Sequence, residues 1–202
     1  MAVQEPNTYN VKLQPAVLLV AQPELLDPNF AMSVVLVCQH GEEGSLGLVL
    51  NRPTNLFFNP YKVALHDQQR DELDFPVYLG GPVQPQALFF LYLCEETLSG
   101  AIEVLPGLYM SSNPETMRIL RERGPMDGSF MRFFIGYSGW SYYQLDCEAS
   151  SGAWFAHPAK KEFIFTDPKR NLWLEVLKDM GEEFYGTGRD FLNSLRRHQP
   201  PT

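Results

Sequence analysis

Cys38 and His40 are the two residues of this chain most readily given chemical work. The β-branched, apolar run Met32–Gln39, MSVVLVCQ, predicts a strand. Residues two apart on a strand share a face, with side chains rooted about 7 Å apart. Should the two lean together, an imidazolium beside the sulfur would lower the thiol pKa, which makes Cys38 a candidate redox centre. The plainer reading is a small buried hydrophobe closing an apolar strand, with His40 a turn residue; a Cys-His nucleophile also lacks a third, orienting group. Ser138, in GYSGW, is a nucleophile only with a histidine in hydrogen-bond reach, and His40, His66, His157 and His198 stand in no motif that supplies one. A turn hydroxyl or helix cap explains it as well.

A second group of polar residues is delivered by strand ends. In Gly44–Thr54, GSLGLVLNRPT, the alternation of Leu46, Leu48 and Leu50 puts three leucines on one buried face, and Pro53, which cannot donate to a ladder, ends the pairing. Asn51 and Arg52 are thereby expected at a sheet rim, where they suit ligand or partner binding. The Gly80-Gly81-Pro82 turn could form an anion-binding nest, although no Lys-Ser or Lys-Thr follows to make it a phosphate loop. Trp140, beside Gly139, could wall a pocket containing Arg52 or simply pack against a loop. The acidic pairs Glu42-Glu43, Asp71-Glu72 and Glu182-Glu183 have no histidines at metal-ligand spacing, and Cys38, Cys94 and Cys147 form no CxxC pair. Neither a metal nor a cofactor is implied.

The elements that position these groups follow from periodicity and punctuation. Strands are expected at Ala16–Ala21, Met32–Gln39, Leu46–Leu50, Phe75–Leu79, Ala87–Cys94, Ala101–Leu105, Tyr109–Ser111, Phe130–Tyr137 and Ala153–His157. His40–Ser45 reads as a hairpin turn. A helix capped by Ser112 or Asn113 opens on Pro114 and stops at Gly124-Pro125. A second helix spans Ser141 to about Ser150, reached from a strand through Gly139. A third, capped by Thr166-Asp167-Pro168, runs through Met180 to Gly181 with Leu172, Trp173, Val176 and Leu177 inward. Mixed spacing after Pro60 suggests a weak helix within 55–71.

At 202 residues and 45% hydrophobic content, one domain with a sizeable core is expected. A net charge of −8 opposes nonspecific binding to a phosphate backbone, so no direct nucleic-acid contact is expected. The absence of a long apolar run or a basic-then-apolar start predicts no membrane association, and the unpaired cysteines fit a reducing cytoplasm.

The blocks QPELLDPNFAMSVVLVCQH, EEGSLGLVLNRPT, VYLGGPVQ and FFIGYSGWSYYQLDCE followed by AWF, in this order and spacing, resemble the YqgE/AlgH family of bacterial proteins from about Ala16 to Gly181. The resemblance implies a single α+β domain with a mixed, partly barrel-like β-sheet flanked by helices, over residues 1–181 with 1–14 a loose arm, and an added, partly helical extension at 182–202. It supplies no reaction. The transcriptional-regulator label carried by some members came from a link with alginate production, and no helix-turn-helix pattern is present here. A noncatalytic regulatory or binding module, acting through an unknown protein or a small anionic ligand, is the leading expectation, and a thiol-based sensor centred on Cys38 is the alternative. Within the matching blocks, Asn51, Arg52, Gly80, Gly81, Gly139 and Trp140 are expected to converge on one rim pocket near His40, with Arg52 pairing with a carboxylate or phosphate. The competing expectation is that they lock loops together, Arg52 bonding main-chain carbonyls.

Overall fold

The computed structural model describes residues 12–62, 64–67, 74–124 and 127–184. Residues 1–11 of the expected 1–14 arm and residues 185–202 of the expected 182–202 extension lie outside them; residues 182–184 continue a helix. The chain forms one α+β domain: an open, mixed sheet of eleven strands with four helices among the described residues.

The strands β1 (Val17–Ala21), β2 (Val34–Gly41) and β3 (Gly44–Val49) form an antiparallel meander, with β11 (Trp154–Pro158) on the outer edge of β1. The continuous apolar run of β1 is buried throughout because both its faces are covered. Leu18 and Val20 enter one cluster, while Val17, Leu19 and Ala21 enter another on the opposite face. The leucine alternation holds as expected: Leu48 and Leu50 are buried in the first cluster and Leu46 packs against it.

A second set of strands comprises β4 (Pro53–Asn59), β5 (Ala64–Asp67), β6 (Phe75–Leu79), β7 (Val83–Leu93), β8 (Ala101–Leu105) and β9 (Leu108–Ser111). All of it is joined to the first set through β10 (Met131–Trp140). One edge of β10 carries β7. The other edge is shared: β6 runs parallel to it at Phe133–Ile135, and β3 runs antiparallel to it at Ser138–Trp140. The sheet curls until β8 approaches β2 across the first cluster, but no ladder closes it into a barrel.

Helix α1 (Pro114–Arg123) begins and ends where its signals place it, with Asn113 accepting from the Glu115 amide and Gly124 at the C-cap. It covers a separate cluster around Phe133, Phe90 and Tyr92. The short helix α2 (Gln144–Ser150) lies over the Val35, Val37 and Val49 face. The one-turn α3 (Lys161–Ile164) and α4 (Leu172–Phe184) close the first cluster, α4 through Leu172, Trp173, Val176 and Leu177 as expected.

Four expectations are corrected. Pro53 opens β4 rather than only ending a strand, pairing opposite Tyr78. Among the described residues of 55–71 there is no helix; β4 and β5 form a hairpin there. Asn59 Oδ1 accepts from the Tyr61 and Lys62 amides, the bonds of a helix cap, but this turn leads back into a strand. Gly139 lies inside β10, paired with Leu46, so it is no strand-to-helix switch. Finally, α4 is capped by Asn171 rather than by Thr166-Asp167-Pro168, and it runs past a buried Gly181.

The junction tolerates no side chain at its crossing point. A Cβ on Gly81, which has φ +152°, would lie 2.3 Å from the Tyr137 carbonyl carbon, and one on Gly80 would lie 2.3 Å from Gly136 O. Gly81→Ala is therefore expected to cost on the order of 3 kcal/mol of unfolding free energy, seen as a lower urea midpoint with an unchanged slope. A loss below about 0.5 kcal/mol would contradict this account.

Candidate functional site

The two ends of β3 carry the two groups of polar residues, and six residues of strand separate them by roughly 20 Å. At the Val49 end, Asn51 acts as an extra rung of the ladder. Its Nδ2 donates to Met32 O at 2.8 Å, and its Oδ1 accepts from Val34 N at 2.9 Å. Arg52 reaches further along the same loop, donating to Pro28 O at 2.8 Å and to Ala31 O at 3.2 Å. Burial pulls the pKa of this guanidinium down, against a smaller upward pull from Asp27. Asn51 and Arg52 thus hold the 22–33 loop against the sheet. Two of the Arg52 N–H donors are used on main-chain carbonyls, the arrangement of the competing expectation.

Gly80 and Gly81 belong to the sheet junction and do not line the cleft described next. The Gly80 amide donates to Ile135 O, and its carbonyl accepts from Val49 N at 2.9 Å and from Ser138 Oγ at 3.0 Å. Ser138 is buried with its hydroxyl committed to that bond, which removes it as a nucleophile.

At the opposite end of β3 the β2–β3 hairpin and the last residues of β10 enclose an open cleft of about 570 Å³, to which His40, Gly139 and Trp140 contribute. Of the residues expected on one rim pocket, these three border this cleft, and Asn51, Arg52, Gly80 and Gly81 do not. Trp140 is a core residue on the far side of that wall: it is 5% exposed, stacks on Phe30 of the 22–33 loop and packs edge-on to Trp154. Both indoles donate to Glu148 Oε2, at 2.9 and 3.0 Å, and Gln144 Nε2 donates to Oε1. Glu148 thereby pins α2 to the sheet. Just beyond Trp140, Tyr142 and Tyr143 are each 62% exposed with ring centroids 5.5 Å apart, and Tyr143 sits in the left-handed region at φ 63°.

The Cys38–His40 pair does not form. Val37 opposes Gly47 and Gln39 opposes Leu46, leaving Cys38 as the extra residue of a β-bulge. The bulge resets the alternation, so Cys38 enters the first core cluster while His40 faces Ser45 and α2. Cys38 is fully buried, and burial pushes its thiol well above the usual range, which opposes the thiolate that a sensor needs. Two residues that sequence reasoning missed stand beside His40 instead. Ser45 Oγ lies 2.8 Å from Nδ1, and Asp146 Oδ1 lies 3.8 Å from Nε2. Hairpin register could have suggested Ser45; nothing local in the sequence points to Asp146.

The cleft is acidic. Its charged lining residues are Glu42 and Glu43, and no lysine or arginine occurs at 13–51, 71–117 or 133–159, the segments that build it. Among the described residues no group of three or more His, Cys, Asp or Glu is arranged to hold a metal ion.

The AlgH-like family model matches residues 18–185. The chain belongs to the AlgH-like family. A UPF0301 protein of Chlorobaculum tepidum is 39% identical over 172 residues, covering 85% of this chain and 89% of the relative. One from Chlamydia abortus is 33% identical over 174 residues, covering 85% and 89%. The solution structure of AlgH from Pseudomonas aeruginosa, 28% identical, superposes with a TM-score of 0.66 and covers 100% of both chains. The crystal structure of DIP2367 from Corynebacterium diphtheriae shares the fold, with a TM-score of 0.65 at 23% identity over 83% and 87% of the two chains. The names of these AlgH-like relatives state no catalytic activity. No helix among the described residues is long and apolar enough to cross a membrane.

Two outcomes test this geometry. Iodoacetamide added to the folded protein is expected to label exposed Cys147 first, half-buried Cys94 more slowly and Cys38 only after unfolding. Early carbamidomethylation of Cys38, read by peptide mass, would return it to consideration. Arg52→Ala is expected to lower stability by about 1–2 kcal/mol, because the Pro28 and Ala31 carbonyls lose their donor. Unchanged thermal unfolding of that variant would show that the tether carries no weight.

Proposed function

We propose that this AlgH-like chain is a noncatalytic regulatory or binding module that acts through a protein partner, with the cleft between the β2–β3 hairpin and the end of β10 as its docking site. One observation carries the reading: an open cleft whose charged lining is Glu42 and Glu43, built from segments free of lysine and arginine. The field of such a site favours a cationic side chain. The exposed Tyr142 and Tyr143 rings, following directly on the Trp140 wall, offer faces on which a guanidinium can stack. The same charge argues against direct contact with DNA, so any effect on transcription runs through the partner. A small anionic ligand loses its support along with Arg52, and a sensor centred on Cys38 loses its support through burial. Free cysteines suit a reducing cytoplasmic setting.

The reading is tested by titrating ¹⁵N-labelled protein with a short arginine-containing peptide and with its glutamate counterpart. The arginine peptide alone is expected to shift the amides of residues 39–46 and 139–143, in a salt-dependent way. The double variant Glu42→Lys, Glu43→Lys should weaken that binding at least tenfold without changing the melting temperature. Shifts confined to other surfaces, or equal responses to both peptides, would refute it.

A further inference from the structure

His40 stands between a hydroxyl and a carboxylate at the cleft. Ser45 is its register partner across the β2–β3 ladder, so the sheet itself fixes the 2.8 Å separation of Nδ1 and Ser45 Oγ. Asp146 comes from α2, 3.8 Å from Nε2, within ion-pair reach. A carboxylate on that side favours the tautomer with its proton on Nε2, which leaves the Nδ1 lone pair to accept the Ser45 hydroxyl proton. Solvent reaches the group: the His40 side chain is 17% exposed and that of Asp146 36%. Three other serine hydroxyls donate to main-chain carbonyls, Ser111 to Gly100, Ser138 to Gly80 and Ser151 to Glu148, while Ser129 and Ser141 donate to the side chains of Asp127 and Gln144. Ser45 instead meets a base, and that base has the orienting third group that a Cys38–His40 pair lacks.

We propose that Ser45 is a nucleophile that accepts an acyl group from an activated donor, an acyl thioester or activated ester, admitted to the cleft. Ser45 Oγ bonds to the donor's carbonyl carbon while its proton passes to His40 Nδ1, and Asp146 stabilises the imidazolium that forms. The tetrahedral adduct collapses with cleavage of the C–S or C–O bond. The departing thiolate or alkoxide then takes the proton from His40. The products are a serine ester on the protein and a free thiol or alcohol, with no redox change. This step rests on the cleft being a binding site, and it gives the module a covalent mark placed where its partner docks.

The experiment uses the full chain and p-nitrophenyl acetate, following p-nitrophenolate release together with intact and peptide mass. A stoichiometric burst and one acetyl group on Ser45 are expected. Ser45→Ala should abolish both, Ser45→Cys should restore an adduct at that position, and His40→Gln should slow the burst about 100-fold. Asp146→Asn should slow it less, with the acylated position unchanged. Acetylation confined to lysines or Cys147, at equal rates in the parent and in Ser45→Ala, would overturn the proposal. Continued turnover that vanishes in Ser45→Ala would uphold the nucleophile and defeat the noncatalytic reading. A Ser45 adduct in a protein whose cleft amides ignore the arginine peptide would uphold the nucleophile and defeat the cationic partner.

Discussion

The architecture depends on one backbone crossing, at Gly80. The peptide groups of this residue bond to two other strands: its amide to Ile135 of β10, its carbonyl to Val49 of β3, with the Ser138 hydroxyl of β10 filling the second lone pair of that carbonyl. Here β6 leaves the edge of β10 and β3 takes it over. The handover needs Gly80, Gly81 and Gly136 in mutual backbone contact, because any Cβ would fall on a neighbouring carbonyl or amide. Glycines that look from sequence like a ligand-cradling turn therefore serve to join two parts of one sheet.

From that crossing β3 runs in one direction to the 22–33 loop and in the other to the cleft. The loop is bound on one side by Asn51 and Arg52 and on the other by Phe30, which packs on Trp140 and Trp154. A second internal guanidinium works in the same manner. Arg132 stacks over the Tyr78 ring at 4.3 Å and donates to Leu50 O and to Thr166 O, tying the segment before α4 to the sheet. Burial lowers the pKa of Arg132, and Tyr78 counteracts it. In both places a cation satisfies carbonyls that have no ladder partner, which is what packing of irregular loops requires.

Much of the fold is legible in the sequence because it is encoded locally. The alternation of Leu46, Leu48 and Leu50, the Asn113-Pro114 start of α1 and the inward stripe of α4 each depend on a few adjacent residues, and each is found as read. The candidate site is less legible because its geometry is non-local. The Cys38 bulge is set by the register of β3 against β2, and one extra residue moves His40 to the opposite face. The partners of Arg52 are carbonyls about twenty residues earlier, and carbonyls carry no sequence signature. Asp146 reaches His40 only once α2 has folded back over the hairpin. The region after Pro60 misleads for a related reason, since Asn59 makes cap-like bonds that a helix and a reversing turn have in common.

The shared carboxylate of Glu148 makes the chain self-reporting. Two of its three indoles, Trp140 and Trp154, donate to the same oxygen beneath α2, while Trp173 donates to Ala21 O on the other side of the sheet. Loosening of α2 would strip a negative charge from two chromophores at once and leave the third as an internal reference. Emission wavelength and quenching thus give an optical readout of that helix in the unlabelled protein, separable from global unfolding.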